Sequence, residues 1–244
     1  MTEEKKLFKT FLWLAFFSIA MGYMESAIVV YLRKIYYPDG FRFPLTPIET
    51  NIGVTEILRE AATLIMLITI GIVAGKTKLQ RFSFFIFCFG IWDIFYYVFL
   101  KVLLDWPRNL FDWDILFLIP VPWVGPVIAP CILSLTMISF AIVLTSFERH
   151  LKIKTTDWLM LSAGSLIIIF SFIFDYISIL LSQTDSGNSE ALLSEMNNYI
   201  PGTYHWWIFI FGECILIVTL LFIFRRSKPG MNYHITDSIL TIDN

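Results

Sequence analysis

Charge is scarce in this chain. Only 16% of its 244 residues are Asp, Glu, Lys or Arg, against about 25% in ordinary soluble domains, so a water-exposed surface of normal size cannot be assembled from it. A formal net charge of -2 and the lack of any long basic run argue against a nucleic-acid partner. Histidine is limited to His150, His205 and His234, at no metal-ligand spacing, which argues against a histidine-based zinc or haem site. Cysteine is limited to Cys88, Cys131 and Cys214, each inside an apolar run where a thiol acts as a small hydrophobe. There is no H-E-x-x-H, no Gly-rich phosphate loop and no recognisable nucleophile-base motif. No motif names a cofactor.

What is abundant is apolar. Hydrophobic residues make up 57% of the chain and aromatics 17%, with 24 Phe. Apolar runs of about 20 residues recur along the length, which is what a helix needs to cross roughly 30 Å of hydrocarbon. The pattern predicts an all-α integral membrane protein, a bundle of six transmembrane helices with the lipid bilayer as its solvent. The spans fall at about 11–31, 53–75, 82–104, 126–147, 158–181 and 206–225, in a single membrane domain over 1–226, followed by a polar tail at 227–244. Lys5, Lys6 and Lys9 before an apolar run, with Ser18-Ile19-Ala20 after it, resemble a cleavable signal. Apolar character continuing to Val30, together with Glu3 and Glu4, favours an anchor instead.

Between the third and fourth spans lies Ile115 to Gly125, apolar but crowded by Pro120, Pro122 and Pro126, which cannot continue a helix. Irregular backbone is not viable against lipid, so this segment is interfacial or re-entrant, and Trp106, Trp113 and Trp123 around it fit the headgroup level. With the N-terminus inside, twelve Lys and Arg fall on the cytoplasmic side and five on the other: Arg33, Lys34, Arg42, Lys101 and Arg108. Both termini are therefore expected in the cytoplasm. The short inner connections fit a bacterial inner membrane. The outer loops are longer and turn-rich, with Asp39-Gly40 in one and Asp185-Ser186-Gly187-Asn188 before a short, potentially helical segment in the other, so the working face is expected on that side.

The most informative residues are ionisable ones inside the spans: Glu25, Glu56, Arg59, Glu60, Asp93, Asp175 and Glu213. A charge at membrane depth is costly and normally faces the bundle interior or a hydrated cavity. At about 1.5 Å per residue, Asp93 lies near a midplane, Glu25, Glu60 and Glu213 roughly 5 to 6 Å outward, and Glu56 and Asp175 about 9 to 12 Å outward. That bias implies a carboxylate-lined cavity open to the outer side. Glu56, Arg59, Glu60 and Thr63 share one arc of the second helix, opposite Ile57, Leu58, Ala61 and Ala62. Arg59, the one cation inside a span, can hold two carboxylates, with Glu56 or Glu60 and Glu25 or Asp93 as partners. Tyr96 and Tyr97 follow Asp93 at helical spacing and share its face. Asp114, beside Trp113 on the outer loop, is placed to cap the cavity but reads first as an ordinary solvated acid.

Six acids against one base require protons or a bound cation for relief. If a metal is held, Glu25, Glu60, Asp93 and Glu213 are its candidate ligands. A hydrogen-bonded packing network between helices is the bland alternative for these acids. Three function classes remain: a small transporter or channel for a cation, proton or cationic solute, which ranks first; an accessory or assembly subunit whose acids meet a partner's basic residues; and a membrane-embedded enzyme working at the outer leaflet. Helix pairing in lipid also leaves room for a homo-oligomer or a membrane-protein partner.

Overall fold

The computed structural model describes residues 3–148, 151–184, 195–196 and 198–227. Six helices carry the fold: α1 (Glu3–Tyr36), α2 (Thr50–Ala74), α3 (Lys78–Leu104), α4 (Ile128–Ser146), α5 (Thr155–Thr184) and α6 (Trp206–Ser227). Each is long and apolar enough to cross a membrane. Two strands, β1 (Trp113–Phe117) and β2 (Trp123–Pro126), interrupt the helices between α3 and α4. The helices overrun the hydrophobic spans at several ends, most of all at the start of α1, because Glu and Lys extend a helix readily once it has left the hydrocarbon. Local signals set other ends. Thr77 caps α3 by accepting the Gln80 N–H at 3.1 Å, and Asp105, in the left-handed region at φ 51°, closes it. The Asp185–Asn188 turn, the segment after it up to 194 and the tail beyond Ser227 lie outside the described residues.

Successive helices alternate in direction. The start of α1 meets the start of α3 through Phe11 and Phe84, Phe82 of α3 meets Trp158 of α5, and Phe147 after α4 meets Phe224 of α6. Helix α3 is central and packs on α1, α2 and α4, while α5 and α6 form a second pair. Lipid supplies no hydrophobic drive for helix association, so close approach over small residues must do it. A Cβ at Gly90 would lie 2.7 Å from the Ser134 carbonyl oxygen, and one at Gly212 would lie 2.9 Å from that of Gly164. The variant Gly212→Leu is expected to cost about 1–3 kcal/mol by overpacking the α5–α6 seam. Gly53→Leu, also within a helix but with nothing within 4 Å of the added carbon, should cost little. Thermal unfolding in detergent separates them, and equal midpoints would mean that α5 and α6 do not pack as described.

The proline-rich segment is an antiparallel hairpin, pairing Trp113 with Pro126, Asp114 with Gly125, Ile115 with Val124 and Phe117 with Trp123. Pro120 and Pro122 fall in its turn and Pro126 ends it, where a missing N–H removes little pairing. The segment folds back into the bundle. The Leu118 N–H at its tip donates to both carboxylate oxygens of Glu60, at 2.9 and 3.1 Å, and Glu60 lies about 15 Å along α2 from its start. Trp123, expected at a headgroup interface, stacks on Phe172 of α5 and donates its indole N–H to the Ile119 carbonyl at 2.8 Å. Phe117 packs on Phe89 and Trp92 of α3. Paired strands surrounded by helix side chains meet the demand that buried backbone be hydrogen-bonded, which an irregular loop would not.

Candidate functional site

Helix α2 packs against α3 near its far end, where Gly71 sits on Phe85 and Arg81. At its other end it is tied to α1 by side chains. The stripe Glu56, Glu60 and Thr63 is buried, whereas Ile57 and Leu58 on the opposite side are 43% and 64% exposed. Between the stripe, α1, α3, the α1–α2 connection and the hairpin lies a cavity of about 280 Å³. Glu25, Glu56, Arg59, Glu60, Asp93, Tyr96 and Tyr97 all line it.

Arg59 organises one wall. Its Nε donates to Glu56 at 2.9 Å and its Nη1 to Glu25, and the second Glu25 oxygen accepts the Thr63 hydroxyl at 2.5 Å. Its partners are therefore Glu56 and Glu25. Glu60 turns instead to the hairpin tip, and Asp93 accepts the Ser134 hydroxyl of α4 at 2.7 Å. These ties join α1, α2, α3, α4 and the hairpin around one space.

Two further charges belong to this wall. Arg33 and Asp114 are 8% and 2% exposed and form an ion pair at 3.0 Å, with the guanidinium 3.7 Å from the Trp106 ring centre and 4.5 Å from that of Phe41. Asp114 is thus not a solvated loop acid, and Arg59 is not the sole internal cation. Arg33 also leaves the tally of free loop charges. The hairpin explains both: β1 carries Asp114 back into the bundle, where the last turn of α1 presents Arg33. A basic residue in that last turn is the one sequence signal pointing to the pair, and it has no local link to residue 114.

The cavity lining holds five carboxylates, Glu25, Glu56, Glu60, Asp93 and Asp114, against two guanidiniums, Arg33 and Arg59. Full ionisation leaves three negative charges in excess. On the far side the lining stops at Glu25, Thr63 and Trp92, beyond which buried Met21, Leu67, Phe84, Phe87 and Cys88 pack as apolar core. The polar groups lie deep, and Tyr36, Leu45 and Ile48 of the connection and its approaches lie toward the mouth.

Asp175 and Glu213 are placed elsewhere, because depth along a helix fixes height and not direction around the bundle. Glu213 sits between α6 and α4 and accepts the Thr136 hydroxyl at 3.0 Å. Asp175 lines a separate groove with Glu195, Tyr199 and His205, where it accepts the Tyr199 hydroxyl and lies 3.3 Å from His205 Nε2. Burial pushes the Tyr199 hydroxyl well above its ordinary value, and the hydrogen bond to Asp175 adds to this. The set Glu25, Glu60, Asp93 and Glu213 is therefore divided, and among the described residues no three His, Cys, Asp or Glu gather as metal ligands do. Comparison with family models, with curated proteins and with solved structures gives no match.

Proposed function

We propose that this polytopic membrane protein captures a small cation in the α1–α2–α3 cavity from the hairpin side of the membrane and belongs to the transporter class. The observation that carries the proposal is the excess of three carboxylates over guanidiniums around one cavity. An uncompensated charge of that size in a poor dielectric is relieved by protons or by a cationic ligand. The distribution of Lys and Arg supports an orientation with the termini in the cytoplasm and the cavity facing out. Helix α2 is the natural moving part, since apolar packing holds it at the Gly71 end while polar ties hold it at the cavity.

A ligand present at about 100 times its Kd stabilises the protein by about 2.7 kcal/mol. Thermal unfolding of purified protein against a panel of inorganic and organic cations is therefore expected to give an upward shift with at least one of them. Glu60→Gln and Asp93→Asn should each abolish the shift while remaining folded. Proteoliposomes should then accumulate that cation, and do so less with either variant. No stabilisation by any cation between pH 5 and pH 8 would sink the proposal.

The apolar core beyond Thr63 and Trp92 favours a second reading, a one-sided site of a membrane-embedded enzyme or receptor. Binding without accumulation would select it.

A further inference from the structure

The cavity's lining distinguishes among cations. A hard divalent ion needs about six to eight oxygens converging within 2.6 Å of one point, or water in their place. Here the carboxylates come from α1, α2, α3 and the hairpin, and each already accepts a hydrogen bond or ion pair within the protein. No metal set forms among the described residues. Most of the rest of the wall is aromatic or aliphatic, with Tyr36, Tyr37, Trp92, Tyr96, Phe117 and Leu116 among it. Aromatic faces combined with carboxylates recognise organic ammonium groups, because the ring quadrupole attracts a cation whose own surface is partly apolar. Arg33 already shows the chemistry at this site by lying over Trp106 and Phe41.

The volume of about 280 Å³ falls just below the usual range for ligand pockets, which suits a small occupant.

We propose that the cavity takes a small organic monoammonium compound with an apolar or aromatic body, its ammonium placed among Glu60, Asp93 and the Glu25–Glu56 wall. This rests on the cation-capture reading and narrows it. Full-length protein in detergent is titrated with 2-amino-1-phenylethanol, with its neutral counterpart 1-phenyl-1,2-ethanediol, and with sodium, magnesium and calcium chloride, and thermal midpoint and tryptophan fluorescence are followed. The amine is expected to bind at least tenfold more tightly than the diol. Asp93→Asn should weaken it at least tenfold, and Glu213→Gln, outside the cavity, should leave it unchanged.

Stabilisation by a metal ion but not by the amine would overturn the ammonium assignment and leave cation capture standing. Equal binding of amine and diol, or binding of nothing in the panel, would overturn both.

Discussion

Arg33→Met is expected to lower the thermal midpoint by about 10 °C. Removing one member of a buried pair costs about 3–5 kcal/mol, because the remaining charge stays desolvated, and a chain of this length loses about 2–4 °C per kcal/mol. Asp114 is 2% exposed on a hairpin packed into the bundle, so with Arg33 gone its carboxylate gains little hydration unless β1 shifts. Withdrawal would also strip the Leu118 N–H from Glu60 and uncover Phe117, so the loss should extend beyond the ion pair. Met keeps the apolar bulk of the arginine stem but loses the guanidinium's place over Trp106 and Phe41, so the single-variant loss includes that cation–π contact. The double variant Arg33→Met/Asp114→Asn removes both charges and should recover most of the loss. A single-variant shift under 2 °C would mean that water reaches Asp114, and with it that the hairpin does not seal this side of the cavity.

How far the chain could be read from sequence depends on the range of the interactions concerned. The α2 stripe is a matter of helical spacing alone, so Glu56, Glu60 and Thr63 can be assigned to one face from residue types three and four apart. The six helices follow from length and hydropathy in the same way. The hairpin does not, because a short apolar run with three prolines has no strand-like alternation, and only its surroundings decide how its backbone is satisfied. Asp114 illustrates the consequence: beside Trp113 it looks like a surface acid, and what buries it is Arg33, 81 residues earlier. Asp175 and Glu213 show a different limit. Their depths resemble those of the cavity acids, but α5 and α6 pack as a separate pair, and nothing in their own sequence reports the azimuth at which that pair meets the rest.

Arg59→Leu joins stability to function. In the unliganded protein Arg59 is the internal counter-ion of both Glu25 and Glu56, and its loss leaves two carboxylates facing each other across α1 and α2. The expected cost is again about 3–5 kcal/mol, seen as a midpoint lower by about 10 °C. A cavity that has lost its own cation should, however, have more to gain from one supplied in solution. A saturating ammonium ligand should therefore raise the midpoint of Arg59→Leu by more than it raises that of the wild type, by as much as several-fold in apparent affinity, although the unliganded variant is the less stable protein. Glu25→Gln added to Arg59→Leu should restore stability and erase the gain, since the carboxylate that recruits the ligand is then gone. A variant that is destabilised but shows no larger ligand response would place Glu25 and Glu56 in the scaffold and leave Glu60 and Asp93 as the charges that meet the cation. Movement of α2 would then have to be driven from those two residues, one bound to the hairpin tip and the other to Ser134 of α4, and not from the Arg59 bridge between α1 and α2.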